Sequence, residues 1–134
     1  MIHVASQMLS EVMTMSFETT CKIENMQSSY LPDVSIMELS CNDDVKIRMD
    51  IHRKVNIFKV GEKVIVTISK SLPQYVEGRD FVAHGYIISK RMENSNYVIY
   101  ISLWGFILIL STQKSEAFSE FKVMDKVYVK IAPQ

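Results

Sequence analysis

Seven consecutive residues alternate strictly between apolar and charged side chains, and this pattern restricts the fold more than any other feature of the chain. In Val45-Lys46-Ile47-Arg48-Met49-Asp50-Ile51, every odd-numbered residue is apolar and every even-numbered one is charged. Side chains of a β-strand point alternately to opposite faces, so this segment predicts a strand with one buried face and one face in water. Similar alternation at 17–23 and 64–68 predicts two more such strands.

Turn-forming residues separate the predicted strands at short intervals. Asn, Asp, Gly, Pro and Ser cluster at 28–33, 42–44, 61–62, 73–78 and 93–96. Short strands joined by such turns predict an all-β sandwich or barrel. The predicted strands lie near 17–26, 34–41, 45–51, 63–70, 81–91, 97–103, 105–111 and 123–131. The helical candidates are the Met-rich segment 1–15 and the segment from Glu116 to Phe121.

Length and one glycine narrow the choice of all-β architecture. A chain of 134 residues with 48% hydrophobic content can build one core but not two. Gly105 lies between Trp104 and Phe106 in an apolar run, and a glycine inside a strand usually marks a bulge or a sharp bend. Such bends let a strand pass between the two sheets of a small barrel. The sequence therefore predicts a partly open Greek-key barrel of the oligonucleotide/oligosaccharide-binding (OB) kind.

The cysteines and apolar segments give no sign of export or membrane insertion. Cys21 and Cys41 could form one bridge, but a chain of this size has enough core to fold without it, so we expect two buried reduced thiols. The first residues lack a basic segment followed by an apolar run, so we expect no secretory signal. The most apolar stretch, 97–110, has 14 residues, fewer than the ~20 needed to cross a bilayer. We therefore expect a cytoplasmic protein without membrane contact.

No combination of residues predicts catalysis, a metal or a cofactor. His3, His52 and His84 each lack neighbours at the spacing that metal ligands require. No serine or cysteine lies in a nucleophile motif, and four glycines are too few for a phosphate-binding loop. The carboxylate pair Asp43-Asp44 follows Asn42 in a predicted turn, where such residues are common. We expect a protein that is not an enzyme and has no small-molecule substrate.

Charge is balanced overall but unevenly distributed. The chain has 15 basic and 15 acidic residues, which argues against a strongly basic nucleic-acid binder. Residues 1–44 hold one lysine against seven acidic residues, whereas 45–70 hold seven basic against two acidic ones. Within 45–70, a basic patch could form from Lys46, Arg48, Arg53 and Lys54. We favour a solvated face paired with the acidic strand 34–41 over a phosphate-contact surface, because few aromatics lie nearby for base stacking.

The aromatic residues of the second half are candidates for a binding platform. Tyr100 and Trp104 share strand parity with Val98 and Ser102, whereas Tyr97 shares it with the isoleucines of the same strand. One parity faces the core, so the other presents rings outward. Tyrosines on strands most often fill a half-buried surface, as expected for Tyr86 too. Exposed rings on a chain of zero net charge favour a protein partner over nucleic acid.

Several segments occur in an order and spacing typical of a known family. In the first half these segments are 35–41, 45–51, 55–58, 61–64 and 68–72. In the second half they are Asp80–Ile88, Tyr100–Leu108 and Met124–Lys130. Over residues 17–131 the chain resembles subunit 8 of multi-subunit DNA-directed RNA polymerases. The short connection 71–80 resembles that of the archaeal form.

The resemblance implies a single-domain, eight-stranded antiparallel barrel of the OB type at 17–134. It implies a non-catalytic, architectural subunit docked on the largest subunit of archaeal RNA polymerase. Residues 1–16 match nothing in the family, and we expect them to be a flexible leader. The expected partner surface contains His84, Gly85, Tyr86, Trp104, Gly105 and Phe106, because glycines permit close approach and rings supply anchors.

The alternative function is a free-standing single-stranded nucleic-acid-binding module of the OB type. It would use the predicted basic patch, and its affinity would fall steeply with salt, because phosphate binding releases counterions. A weaker nucleic-acid contact by the same residues is compatible with a place in the assembled polymerase.

Overall fold

A computed structural model describes residues 16–114 and 118–134, whose regular secondary structure is almost entirely β-strand. The strands are β1 (Ser16–Ser28), β2 (Val34–Cys41), β3 (Lys46–His52), β4 (Lys63–Ser69), β5 (Phe81–Glu93), β6 (Asn96–Leu103), β7 (Phe106–Thr112) and β8 (Lys126–Pro133), with a 3-10 turn at Arg53–Val55. The eight predicted strands are confirmed, and the differences lie at their ends. Ser16, predicted as the end of the leader, begins β1, and residues 1–15 lie outside the described residues.

Of the second helical candidate, the structure describes residues 118–121, which contain one 3-10 residue, Phe118, and no α-helix. Residues 118–121 form a tight turn, in which the Phe121 N–H donates to the Phe118 carbonyl at 3.1 Å, and Glu116 lies outside the described residues. In the part of the chain that the structure describes, no helix is long and apolar enough to cross a membrane. The apolar stretch 97–110 forms most of β6 and β7.

The eight strands close into one barrel in the order β1-β2-β3-β7-β6-β5-β8-β4, with β4 returning to β1. Every pairing is antiparallel. The predicted all-β, eight-stranded antiparallel barrel is therefore confirmed, and it is consistent with the OB type. Closure removes the exposed strand edges that would otherwise pair with other chains.

The alternation that predicted the strands also builds the core. Val45, Ile47, Met49 and Ile51 are all buried, whereas Lys46 and Arg48 are exposed. The other strands add inward side chains, including Val64, Val66, Ile68, Leu108, Leu110, Val127, Val129 and Ile131. Each fully buried aliphatic side chain contributes about 1.5–3 kcal/mol, so this interior supplies the main stabilisation of the fold.

Backbone angles confirm the predicted Asn-Asp turn but change the interpretation of Gly105. Asp43 and Asp44 have φ angles of 60° and 61°, the left-handed region that Asp tolerates. Gly105, with φ 94°, does not bend a strand as predicted. Leu103 pairs with Phe106, so Trp104 and Gly105 form the whole connection of the β6–β7 hairpin. Trp104 also has a positive φ, 55°, as in a type I′ turn.

The expectation of two reduced thiols is wrong. Cys21 and Cys41 form a disulfide between β1 and β2. They are directly opposite in the register, and the flanking hydrogen bond from the Asn42 N–H to the Thr20 carbonyl makes them a non-hydrogen-bonded pair. Side chains approach most closely at such pairs. Chain length showed only that a bridge was unnecessary, whereas the strand register places the two sulfurs side by side.

Candidate protein-interaction surface

The outer side of β5 carries large side chains that the fold leaves uncovered. Gly85 and Ile87 point inward and are buried, so His84 and Tyr86 point outward. Ile88 has the same strand parity as His84 and Tyr86 and also points outward. Tyr86 and Ile88 are each 47% exposed. Alternation along one strand thus places an imidazole, a phenol and a branched aliphatic side chain in one row.

The β6–β7 hairpin adds an indole to this row. Trp104 Nε1 donates a hydrogen bond to His84 Nε2 at 3.3 Å, and the two rings meet edge to face with centroids 5.4 Å apart. An indole N–H can only donate, so His84 Nε2 is the acceptor in this contact. Trp104 is held in place by this contact and is still 78% exposed.

Residues before and within β8 extend the row on both sides. Met124 is 73% exposed, and its N–H donates to the Ile87 carbonyl at 2.7 Å, which fixes it beside Ile88. Tyr128 lies next to His84, with ring centroids 5.7 Å apart. We call the surface formed by His84, Tyr86, Ile88, Trp104, Met124 and Tyr128 the β5 face.

The loop before β5 forms a wall beside this face. The Asp80 carboxylate accepts hydrogen bonds from the Val76 N–H at 2.8 Å and from Arg79 Nε at 2.8 Å. The Arg79 hydrogen bond, followed by that of Val76, lowers the pKa of Asp80, so this carboxylate stays ionised. Lys130 Nζ donates to the Gln74 carbonyl at 2.6 Å and ties the loop to β8.

Between the wall and the β5 face lies a cavity of about 230 Å³, which we call the notch. Its lining includes Leu72, Tyr75, Glu77, Val82, His84 and Tyr128. Aromatic rings therefore stand on both sides of the notch, and Glu77, which is exposed, lies at its rim.

The structure brings together only part of the predicted partner surface. His84, Tyr86 and Trp104 belong to the β5 face. Gly85 is buried, and an added Cβ would overlap the Ser102 carbonyl oxygen, so its close approach is to β6 of the same chain. Phe106 is half-buried against the core.

Sequence reasoning missed Ile88, Met124 and Tyr128 as members of this surface, and Tyr75 and Glu77 in the neighbouring loop. Strand parity shows that Tyr128 points outward from β8. Its position beside His84 depends on the pairing of β5 with β8, which no local pattern reveals. Ile88 shares strand parity with His84 and Tyr86, so alternation alone could have placed it on this surface.

The four predicted nucleic-acid contacts do not form one patch. Lys46 and Arg48 share a groove of about 380 Å³ with Glu24 and Glu38, and Arg48 is the direct cross-strand partner of Glu38. Arg53 lies five residues after Arg48, beyond the end of β3 and in the 3-10 turn. There it forms an ion pair with Asp33 at 3.8 Å, and Lys54 follows it in the 3-10 turn.

The tyrosines of β6 are less available than Trp104. Ile99, Ile101 and Leu103 face the core as predicted, but Tyr97, which shares their parity, is 37% exposed, and Val98, on the other parity, is buried. The outward Tyr100 is half-buried, its hydroxyl lies 3.4 Å from the Glu93 carboxylate, and the Arg91 guanidinium lies 4.8 Å from its ring centroid. In 16–114 and 118–134, no three His, Cys, Asp or Glu side chains are grouped as metal ligands would be.

The chain is similar to proteins of known function. A family model for the RpbG subunit of DNA-directed RNA polymerase matches residues 16–134. A protein of Sulfolobus acidocaldarius, named DNA-directed RNA polymerase subunit Rpo8, is 35% identical over 111 residues, which cover 81% of this chain and 91% of that protein. The Rpo8 subunit of Saccharolobus solfataricus is 35% identical over 117 residues, covering 81% and 86%. That of Saccharolobus shibatae is 34% identical over 116 residues, covering 81% and 87%.

Among solved structures, the chain is similar to the cytoplasmic molybdate-binding protein ModG. The TM-score is 0.33 and the identity 11%, over 88% of this chain and 89% of that one. So weak a likeness supports no inference about fold or ligand.

Proposed function

The chain belongs to the family of archaeal RNA polymerase subunits known as RpbG or Rpo8, and we propose that it docks on the largest subunit of the polymerase through the β5 face. Proteins of this family are non-catalytic subunits of the polymerase, so the role of the chain in transcription is architectural. We also propose that it acts in the cytoplasm, together with the rest of the enzyme.

The exposed apolar area of the β5 face carries this proposal. Tyr86, Ile88, Trp104 and Met124 are between 47% and 78% exposed. Trp104 is anchored to β5 at His84, and Met124 is anchored to it at Ile87. Burying one such side chain completely contributes about 1.5–3 kcal/mol, so covering them stabilises a complex strongly. Aromatic side chains and methionine are enriched in protein interfaces, whereas lysine and glutamate are depleted there.

The backbone at Trp104 supports the same assignment. A bulky residue in the left-handed region costs about 1–2 kcal/mol relative to an ordinary conformation, and the first position of a type I′ turn favours Asn, Asp or Gly. Trp104 has φ 55° there and remains exposed. The fold gains little from an indole at this position, which points to a role in binding.

Co-purification tests the docking. A tagged chain with Trp104→Ala should bind the largest subunit about 30-fold more weakly than the unchanged chain, as expected for an aromatic anchor worth about 2 kcal/mol. Val60→Ala is the matched control, because Val60 is 58% exposed on the connection between β3 and β4, away from the β5 face. Equal recovery of the largest subunit with both variants would contradict the proposal.

Single-stranded nucleic-acid binding is the weaker candidate. The cations required for it are dispersed, and Lys46 and Arg48 share their groove with two carboxylates that would repel phosphates. No observation favours this function over docking.

A further inference from the structure

Glu77 lies at the rim of the notch without a cationic partner among the described residues. The notch is lined by two carboxylates, and that of Asp80 is already paired with Arg79 at 2.8 Å. Glu77 takes part in none of the ion pairs formed within 16–114 and 118–134. A negative charge beside a concave surface attracts a cationic group from outside the chain.

The rings of the notch also suit a cation. Tyr75, His84 and Tyr128 line it, and the faces of aromatic rings carry negative potential. Lys126 Nζ already lies 5.4 Å from the Tyr128 ring centroid, although Lys126 does not line the notch. His84 Nε2 accepts a hydrogen bond from the Trp104 indole, which holds the imidazole in place beside the notch.

From this arrangement we infer that the notch binds an arginine side chain of the protein on which the β5 face docks. This inference rests on the docking proposed above and names the chemistry of one contact within it. A planar guanidinium can stack on a ring while it donates two hydrogen bonds to the Glu77 carboxylate. Its aliphatic stem can lie along Leu72 and Val82, which also line the notch.

Arginine fits better than lysine or an apolar side chain. A lysine ammonium is a strongly hydrated point charge that cannot stack flat on a ring. A leucine would leave the Glu77 carboxylate without a partner at an interface that excludes water. The wall is also already held by hydrogen bonds at Val76, Arg79 and Gln74, so binding requires little ordering of the loop.

The first experiment measures the affinity of the full chain for the largest subunit. Glu77→Gln should weaken binding about tenfold, and Glu77→Arg should weaken it further by repulsion. Glu24→Arg on β1 is the matched control and should leave the affinity unchanged, since Glu24 is exposed outside the β5 face. Tyr75→Leu, which keeps an apolar wall but removes the ring, should also weaken binding.

The second experiment identifies the bound chemistry with small probes. N-acetyl-arginine amide added to the isotope-labelled full chain should shift the amide resonances of Gly78 and Ala83, which line the notch, and Glu77→Gln should abolish these shifts. N-acetyl-leucine amide should leave them in place. No shift with the arginine probe, larger shifts with the leucine probe, or unchanged shifts in Glu77→Gln would each overturn the inference.

The two proposals fail in different ways. If Trp104→Ala weakens docking while Glu77→Arg does not, the arginine contact is wrong and the β5 face still docks. If neither variant changes recovery of the largest subunit, the docking itself is wrong.

Discussion

Two outer surfaces of this barrel arise from the same strand alternation but differ in the side chains they expose. On the charged face, formed by Glu24, Glu38, Lys46 and Arg48, cations and carboxylates share one groove, and Arg48 lies directly opposite Glu38. On the β5 face, large apolar side chains remain between 47% and 78% exposed. The barrel requires only inward side chains for its stability, so outward residues are free to serve other needs. The charged face places cations beside carboxylates of the same chain, whereas the β5 face exposes apolar and aromatic side chains, for which we propose a second molecule as the partner.

The largest expected loss of stability comes from disrupting the close contact between β5 and β6 at Gly85, beneath the β5 face. In Gly85→Ala, the new Cβ would overlap the Ser102 carbonyl oxygen, and backbone cannot move aside as a flexible side chain can. We expect a loss of about 3 kcal/mol or more in the free energy of unfolding, measured by urea denaturation.

Gly105→Ala is the matched control for that change. An added Cβ at Gly105 meets no atom within 4 Å, and only the φ of 94° penalises it. The expected loss is about 1 kcal/mol. Equal losses at both glycines would show that β5 and β6 are not in the close contact described.

These two glycines show what the sequence could predict. The inward residues of each strand follow from local alternation, so Val45 to Ile51 revealed one wall of the core directly. The reason for Gly85 lies in Ser102, seventeen positions away along the chain, and emerges only from the pairing of β5 with β6. A glycine that a turn requires for its positive φ and a glycine that lets two strands approach closely look alike in a sequence. Gly105 was therefore predicted to bend a strand, and Gly85 was predicted to lie at a partner interface.

The next largest loss of stability concerns β1 and β2, two strands of the charged face. The Cys21–Cys41 disulfide joins these strands. Replacing both cysteines with serine should lower the free energy of unfolding by about 2–3 kcal/mol, mainly because the unfolded chain regains the freedom of a loop of 20 residues. Thermal unfolding with and without a reducing agent should show the same difference in the unchanged protein. Because the β5 face lies on other strands, its docking affinity should stay the same; a parallel loss of docking would contradict the separation of the two faces.

The disulfide also marks a limit of reasoning from composition. Two cysteines in a chain with sufficient core gave no reason to expect a bridge. The cross-strand register between β1 and β2 allows the bridge, because it makes Cys21 and Cys41 direct neighbours. Tyr128 was missed for the same reason, since its neighbour His84 lies on a strand far away in sequence.

At the β6–β7 turn, a smaller effect distinguishes the contribution of residue 104 to stability from its contribution to binding. Trp104→Asn and Trp104→Ala both remove the indole, but asparagine tolerates the left-handed backbone of this position and alanine does not. The asparagine variant should be more stable than the alanine variant by about 1 kcal/mol in thermal unfolding. Both should bind the largest subunit equally weakly. A clear difference in binding between the two variants would mean that turn geometry, and not the ring, makes the contact.

The smallest effect is expected on the charged face. Lys46→Glu combined with Arg48→Glu should change docking on the largest subunit less than about twofold, because exposed charges within a mixed groove contribute little. For single-stranded DNA, two phosphate contacts by these cations would give a slope of about −1.4 in log affinity against log salt. We expect no measurable binding by the unchanged protein at low salt, since Glu24 and Glu38 offset both cations. Binding with that slope, lost in the double variant, would show that the charged face binds a second molecule and would contradict the proposed contrast between the two surfaces.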